Sequence, residues 1–237
     1  MAQIIDFHSH ILPEIDDGSS SVEESIAMLR MEAEQGIGHV IATPHFYARH
    51  DSPTDFLQRR NEAEARLREE MAKYEGLPQL SVGAEVHYFP GIADSDVLGE
   101  LTIDKKECII LEMPLDSWTE SMYREIEGIS VRQGITPILA HIDRYIRPFQ
   151  SRRIMERLEY LPVLVQANAS FFLFPYTKRL ALRLLREDRI HLLGSDCHNL
   201  SLRPPNLGPA IELIKERLGS NALAGVEESQ RILLQSD

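Results

Sequence analysis

The chain predicts an α/β fold: a distorted (β/α)7 barrel of the TIM type that forms a single domain over residues 1–237. Three observations indicate this fold. Seven short apolar runs recur along the chain, helix-like stretches separate them, and no linker rich in Gly, Ser or Pro divides the sequence. An open, doubly wound sheet is the alternative that this pattern leaves.

The seven apolar runs are the predicted strands. Nearly continuous apolar segments of this length that alternate with helices are typical of a buried parallel sheet. They cover residues 4–7, 40–43, 80–84, 108–113, 137–140, 163–167 and 190–194.

Four of the intervening stretches predict amphipathic helices. The first follows a Ser21-x-x-Glu24 capping box and stops at Gly36, and the second is a highly charged helix over 54–73. The third and fourth end at glycines, as helices often do. The residues at helical spacing are Val22, Ile26, Leu29 and Ala33; Phe56, Leu57, Ala63, Leu67 and Met71; Met122, Ile126 and Ile129 before Gly134; and Ile211, Ile214 and Leu218 before Gly219.

Composition and charge exclude several functions. A net charge of -12 argues against a sequence-independent grip on nucleic acid, because neutralising phosphates requires clustered Lys and Arg. No apolar run is long enough to span a bilayer, and Asp6 comes before any signal-peptide region, so we expect no membrane insertion. Cys108 and Cys197 lie far apart without CxxC spacing, which fits a reducing compartment. We therefore expect a cytoplasmic protein.

Ionisable side chains end most of the predicted strands. Six of the seven strands present His, Asp or Glu at the C-terminal edge, where barrel enzymes place their catalytic groups. The residues are His8, His10, His45, Glu85, Glu112, His141, Asp196 and His198.

Two pairs among these residues have the spacing of metal ligands. In His8-x-His10 and Asp196-x-His198, the alternation of an extended backbone predicts that both members face one side, as two ligands of one centre require. Imidazole and carboxylate without thiolate suit zinc, manganese or iron, and argue against a structural zinc site.

Two acidic residues are candidates to bridge neighbouring metal ions. Glu85 and Glu112 come from adjacent predicted strands, and close cations need carboxylates between them. The sequence therefore predicts a hydrolytic site that holds more than one metal ion.

Other ionisable residues near the strands are expected outside the ligand set. Asp6 is expected to orient a metal-binding histidine, and Cys197 to pack away from its neighbours. His39 and His191 are expected at strand starts and His50 in a polar loop, whereas the sequence leaves His87 open between a loop wall and the face of Glu85.

The motifs at these strand ends resemble those of the polymerase and histidinol phosphatase (PHP) family, and within it the capsule-operon protein tyrosine phosphatases of bacteria. The motifs span almost the whole chain in the family's order, and the first and last are specific. They are Asp6-Phe7-His8-Ser9-His10-Ile11-Leu12-Pro13 with Asp16-Asp17-Gly18, Ala42-Thr43-Pro44-His45, Gly83-Ala84-Glu85, His141-Ile142-Asp143-Arg144-Tyr145, and Ser195-Asp196-Cys197-His198-Asn199 running into Arg203-Pro204-Pro205.

The resemblance implies a distorted (β/α)7 barrel with three divalent metal ions, usually Mn²⁺. It also implies that Asp16 is a ligand and that Arg144 and Arg203 bind phosphate, whereas the residues alone distinguish neither Asp16 from Asp17 nor these arginines from surface ones. The loop over 46–54 departs from the family's pattern, so the substrate preference stays open. The implied ligands are His8, His10, Asp16, His45, Glu85, Glu112, His141, Asp196 and His198.

A metal-dependent phosphomonoesterase is the predicted activity. Because metal coordination lowers the pKa of water from 15.7 to about 7, metal-bound hydroxide is the expected nucleophile. By resemblance, the substrate is a phosphotyrosine protein, a bacterial tyrosine kinase that regulates capsule or exopolysaccharide synthesis. The alternatives are a small-metabolite phosphatase such as a histidinol phosphatase, and a catalytically silent metal-binding regulatory module.

Overall fold

The computed structural model describes residues 4–146 and 151–235. Within these ranges, strands alternate with helices. The strands are β1 (Asp6–Ser9), β2 (His39–Ala42), β3 (His45–Phe46), β4 (Gln79–Val82), β5 (Glu85–His87), β6 (Cys108–Glu112), β7 (Thr136–Leu139), β8 (Leu164–Asn168) and β9 (Leu192–Gly194). The helices are α1 (Val22–Glu34), α2 (Pro53–Met71), α3 (Leu98–Leu101), α4 (Glu120–Gln133), α5 (Ser151–Leu158), α6 (Ala169–Leu173), α7 (Lys178–Arg186), α8 (Leu207–Leu218) and α9 (Ala224–Gln235).

Each of the seven predicted strands has a counterpart, and two of them are followed, after a break, by a short strand that was not predicted. Thr43 and Pro44 separate β2 from β3, and Gly83 and Ala84 separate β4 from β5. The breaks transfer the chain between two sheets, because β2 and β4 pair beside β1 whereas β3 and β5 pair beside β6. Proline lacks a backbone N–H, so Pro44 suits the point where the ladder is interrupted.

All paired strands run parallel, in the orders β1-β2-β4 and β3-β5-β6-β7-β8-β9. A further parallel bridge joins Ser9, at the end of β1, to Cys197, just beyond β9. The parallel sheet therefore curls into a half-barrel within one domain, which confirms the α/β class. The curl brings the carboxyl ends of the first and last strands to one edge.

The helix boundaries follow the predicted capping signals. The Ser21 hydroxyl accepts a hydrogen bond from the backbone N–H of Glu24 at 3.2 Å, and α1 ends before Gly36, which has a φ of +80°. Gly134 adopts a φ of +69° directly after α4. The capping box is wrong in one detail, since the Glu24 carboxylate accepts from the N–H of Ser20, at 2.8 Å, instead of closing on Ser21.

The predicted inward faces of the helices pack in the core. Within the described residues, no helix is both long and apolar enough to cross a membrane. The stripe residues that are buried include Ile26, Leu29, Phe56, Ala63, Leu67, Ile126, Ile129, Ile211 and Ile214.

A buried pair of carboxyl groups lies behind the strand-end edge. Asp6 and Glu32 are both fully buried, and an oxygen of each lies within 4.8 Å of the other and of the Cys197 sulfur. Burial raises the pKa of Asp6, and burial together with the charge of Asp6 raises the pKa of Glu32 well above its ordinary value. The pair therefore retains a proton at pH values where exposed carboxyl groups are ionised.

Replacing Glu32 by Gln is expected to weaken the loss of stability at high pH. A raised pKa in the folded state contributes stability below the unfolded pKa, and that contribution is lost as pH rises through the folded pKa. The glutamine side chain of Glu32→Gln cannot ionise. Between pH 5 and pH 8 the free energy of unfolding of the wild type should therefore fall by about 1–3 kcal/mol more than that of the variant. Urea unfolding in the presence of a metal chelator measures this difference.

Glu34→Gln is the matched control, because Glu34 is exposed on the same helix. It should follow the pH dependence of the wild type. Parallel pH curves for Glu32→Gln and the wild type would show that this pair does not hold the extra proton.

Candidate metal centre

The predicted strand-end residues converge at one edge of the sheet. The Nε2 atoms of His8 and His10, both fully buried, approach to 3.2 Å, as the alternation of β1 predicted. The ring of His10 lies 4.5 Å from that of His45 and 3.9 Å from that of His198, measured between centroids. Side chains from β1, β3 and the loop after β9 therefore meet in one cluster.

Glu85 lies at the middle of this cluster. Its Oε2 atom is 3.3 Å from the Nε2 atoms of both His8 and His10 and 2.9 Å from His45 Nδ1. Its Oε1 atom accepts a hydrogen bond from His141 Nε2 at 2.8 Å. One carboxylate thus faces four imidazoles, the arrangement expected of a bridging ligand.

Glu112 forms the next layer of the cluster. Its Oε1 atom is 3.5 Å from His141 Nε2 and 3.5 Å from Arg144 Nη1, and its Oε2 atom is 3.0 Å from His87 Nδ1. His87, which the sequence leaves open between a loop wall and the face of Glu85, is the last residue of β5, and its side chain turns toward Glu112.

The two neighbouring aspartates of the loop after β1 differ in their contacts. Asp16 Oδ2 accepts a hydrogen bond from His10 Nδ1 at 2.8 Å and another from the backbone N–H of His45 at 3.0 Å. Asp17 Oδ1 lies 3.5 Å from His45 Nε2 and 3.5 Å from His198 Nε2. Asp16 therefore orients His10, whereas Asp17 faces nitrogen atoms that are available to a cation.

Asp196 reaches the cluster through an unusual backbone conformation. Its φ of +54° means that the Asp196-x-His198 segment is not extended, so the geometric reason given for this pair is wrong although both side chains do converge. Asp196 Oδ1 lies 3.5 Å from His10 Nε2 and 3.8 Å from His198 Nδ1. His141 also has a positive φ, of +33°, at the end of β7.

Two arginines lie at the mouth of the cluster. The Nη2 atoms of Arg144 and Arg203 are each 2.7 Å from Asp196 Oδ2. Both side chains are partly exposed, at 34% and 39%, so each guanidinium keeps donors that face solvent. The backbone N–H of His198 donates to the Arg203 carbonyl at 2.8 Å, which fixes this loop beside the cluster.

Asp6 acts on the backbone rather than on an imidazole. Its Oδ1 atom accepts hydrogen bonds from the N–H groups of His8 at 3.1 Å and Ser195 at 2.8 Å, so it ties β1 to the loop after β9. The expectation that Asp6 orients a histidine ring is wrong in this respect. Cys197 is buried in the core as predicted, and His39 lies at the start of β2, where its Nε2 contacts Ser81 Oγ at 2.7 Å.

Two amide side chains of β8 support the site and were not predicted. Gln166 Oε1 accepts from the backbone N–H of His141 at 2.5 Å, and Asn168 Nδ2 donates to Asp196 Oδ2 at 2.9 Å. Both stand at the end of the sixth predicted strand, and this position was the only signal that could have identified them. Amides neither titrate nor commonly bind these metals, so residue type did not single them out.

Asp16 and Glu112 remain charged. Burial raises the pKa of Asp16, but the hydrogen bond and the charge of His10 outweigh burial and lower this pKa to about 2. Burial acts in the same direction on Glu112, where hydrogen bonds from His141 and His87 prevail and lower the pKa to about 2. These carboxylates are therefore anionic at any physiological pH.

The imidazoles differ in their protonation. Burial lowers the pKa of His141, but hydrogen bonds to Glu112 and Glu85 raise it to about 9. Burial and the charge of His10 lower the pKa of His198 to about 4. Without metal, His141 is therefore protonated at neutral pH, whereas His198 is neutral and can offer a lone pair to a cation.

The donor set fits divalent metal ions. Imidazole and carboxylate without thiolate suit manganese, zinc or iron. His141 Nδ1 and His198 Nε2 are buried and have no hydrogen-bond partner within residues 4–146 and 151–235. Three groups of donor atoms each lie within 4.8 Å of one another: His10, Asp17, His45 and His198; His8, His10 and Glu85; and His45, Glu85 and Glu112.

The chain is similar in sequence and fold to known phosphatases. The tyrosine-protein phosphatase CpsB of Streptococcus agalactiae serotype V is 27% identical over 248 residues, which cover 97% of this chain and 98% of that protein. CpsB of Streptococcus pneumoniae is 29% identical over 230 residues, 92% of each chain. A structure from the work on Bacillus subtilis YwqE and S. pneumoniae CpsB, described as unique metal-dependent tyrosine phosphatases, has a TM-score of 0.86 at 24% identity and covers 99% of this chain and 95% of that one.

A protein-family model identifies the family of the chain. The model described as capsular polysaccharide synthesis, CpsB/CapC, matches residues 4–233. The matched range includes every strand of the curled sheet and all the cluster residues, from His8 to His198. The chain therefore belongs to the CpsB/CapC family of capsular polysaccharide synthesis.

Proposed function

We propose that this protein is a metal-dependent phosphomonoesterase that acts on phosphotyrosine in proteins. The observation that carries the proposal is a buried cluster of imidazoles and carboxylates with two partly free arginines at its mouth. The cluster suits several close cations, and the arginine forks suit a phosphate dianion. Relatives named tyrosine-protein phosphatase support the choice of substrate.

We further propose three divalent metal ions, Mn²⁺ above others, bound by nine residues. Asp17 replaces Asp16 in the ligand set, because Asp17 faces His45 and His198 whereas Asp16 is engaged by His10. The bridge between Ser9 and Cys197 supports closure of the sheet as a distorted seven-stranded barrel. The proposed ligands are His8, His10, Asp17, His45, Glu85, Glu112, His141, Asp196 and His198.

Each part of the site has a task in phosphoryl transfer. When bound, the metal ions supply an activated water nucleophile at neutral pH and neutralise charge on the phosphoryl group. Arg144 and Arg203 hold phosphoryl oxygens through donors that Asp196 does not use. Asn168 and Asp16 keep Asp196 and His10 in orientation. A tyrosine phenolate leaves more readily than an alkoxide, because its conjugate acid has a pKa near 10.

We propose a phosphorylated bacterial tyrosine kinase as the protein partner and the cytoplasm as the location. The family's role in capsular polysaccharide synthesis supports the partner. Two free, buried cysteines, Cys108 and Cys197, support a reducing compartment.

Hydrolysis assays test the proposed function. With Mn²⁺, the protein should release phosphate from a phosphotyrosine peptide, lose the activity on chelation and regain it when Mn²⁺ is restored. Histidinol phosphate should be hydrolysed with a lower kcat/KM. A higher kcat/KM for histidinol phosphate would instead identify a small-metabolite phosphatase, and no turnover at full metal occupancy would identify a regulatory module.

Paired substitutions test which aspartate binds metal. Asp17→Asn is expected to remove one metal ion per chain and to lower kcat/KM by about 10²–10³-fold, because it deletes a ligand. Asp16→Asn should keep the metal stoichiometry and lose about 10–100-fold, as substitutions behind a ligand do. Elemental analysis after dialysis gives the stoichiometry. The opposite pattern, with the ion lost from Asp16→Asn and kept by Asp17→Asn, would restore Asp16 to the ligand set.

A further inference from the structure

A groove of about 740 Å³ lies directly beside the metal centre. Tyr47 and His87 form the wall between them. The Tyr47 ring lies 5.1 Å from the ring of His45 and 5.4 Å from that of His87, between centroids, and His87 Nδ1 is 3.0 Å from Glu112. Because His45 and Glu112 are proposed ligands, the groove adjoins the metal centre along Tyr47 and His87.

Apolar side chains make up part of the lining beyond this wall. Phe89 and Pro90 follow β5, Pro114 follows β6, and Met122 lies in the first turn of α4. Rings pack well against such surfaces, in offset or edge-to-face contact with an aromatic side chain. The groove is within the size range of sites for small organic ligands, so it is larger than an inorganic phosphate requires.

Charged groups lie on the groove's lining without dominating it. Arg49 comes from the loop after β3, Asp116 from the loop after β6 and Glu125 from α4. Arg49 and Asp116 are exposed, and Glu125 is partly buried. Mixed charge around an apolar floor suits a polypeptide, whose backbone and varied side chains present both signs, better than it suits a small, highly charged metabolite.

We propose that this groove binds the phenyl ring of phosphotyrosine and the peptide segment that carries it. The inference rests on the proposed function and extends it from the phosphate to the rest of the substrate. With the phosphate at Arg144 and Arg203, the ring packs on Tyr47 and His87. The peptide backbone then passes over Phe89. The groove thereby selects aryl phosphates on a polypeptide over small alkyl phosphates.

The single tryptophan provides a direct reporter of occupancy. Trp118 is the only tryptophan in the sequence. Its indole N–H donates to the carbonyl of Pro114 at 2.9 Å, and its ring lies 5.0 Å from that of Tyr145. Pro114 lines the groove, so a peptide bound there changes the surroundings of Trp118 and its fluorescence.

The test compares two substrates in variants of the groove. Phe89→Ala and Met122→Ala are expected to lower kcat/KM for a phosphotyrosine peptide by about tenfold or more relative to glycerol 2-phosphate, mainly through KM, because apolar contact with the bound peptide is lost. Phe89→Leu, which preserves most of the volume, keeps the comparison valid if Phe89→Ala folds poorly. A titration with a non-hydrolysable phosphonate peptide should change Trp118 fluorescence, with weaker binding in the variants.

The control is Val131→Ala, an exposed position at 73% on the same helix as Met122. It should match the wild type on both substrates. Equal losses on both substrates in the groove variants, or no loss on either, would overturn the groove while leaving a phosphatase. A wild type that hydrolyses neither substrate with Mn²⁺ would overturn the proposed function and the groove with it.

Discussion

The Glu85→Gln variant should lose at least about 10³-fold in kcat/KM, a barrier increase on the order of 4 kcal/mol. Glu85 is 1% exposed and faces the imidazoles of His8, His10, His45 and His141 at 2.8–3.3 Å. Burial raises its pKa, but the charge of His8 and hydrogen bonds from the other three imidazoles lower it well below the ordinary value. It is thus a permanent anion where two groups of metal donors overlap.

Glutamine keeps the shape of this side chain but supplies neither the negative charge nor two equivalent oxygens. We therefore expect metal content to fall together with activity, as elemental analysis of the dialysed protein would show. Glu127→Gln, at an exposed position on α4, is the matched control and should retain both properties. Full metal content with undiminished turnover in Glu85→Gln would exclude a bridging role.

The fold was predictable because local pattern and tertiary structure agree. The apolar runs around Val40 and Leu80 are buried strands, and glycines such as Gly134 end their helices. The breaks at Pro44 and Gly83 were not predictable in the same way. They depend on which neighbouring strand each half joins, and this pairing is set by the curl of the whole sheet.

The site was predictable in its residue types and less so in its geometry. Strand ends of a parallel sheet share one edge, so His8 and Glu85 had to lie near one another. The distinction between Asp16 and Asp17 is set by loop conformation, which spacing does not encode. Asp196 illustrates the same limit, since its left-handed backbone replaces the extended geometry assumed for its pair.

Glu32 shows a different limit. It lies in a helix rich in acidic residues, where a glutamate is normally expected to be exposed to solvent. Its burial against Asp6 follows from the packing of α1 on the sheet, and a single amphipathic pattern does not reveal it. Residues whose role depends only on tertiary contacts, such as Glu32, could therefore be identified only from the structure.

Removing the two arginines should produce the second large effect. Each of Arg144→Ala and Arg203→Ala is expected to lower kcat/KM by about 10²–10³-fold, as the loss of one charged donor to a reacting group does. Arg144→Lys should recover only part of the loss, because an ammonium group cannot replace a planar fork that contacts a carboxylate and a phosphate together. Inhibition by inorganic phosphate should weaken in the alanine variants.

Measurement of the metal content distinguishes phosphate binding by the two arginines from a structural role in supporting Asp196. Both guanidinium groups contact Asp196 at 2.7 Å, so their loss could act by releasing a proposed ligand instead of by weakening phosphate binding. If they bind phosphate, the alanine variants keep the wild-type metal stoichiometry, and Arg179→Ala, an exposed control on α7, keeps full activity as well. Loss of metal in proportion to activity would assign Arg144 and Arg203 to the support of Asp196. The phosphate would then have to be held by the metal ions alone.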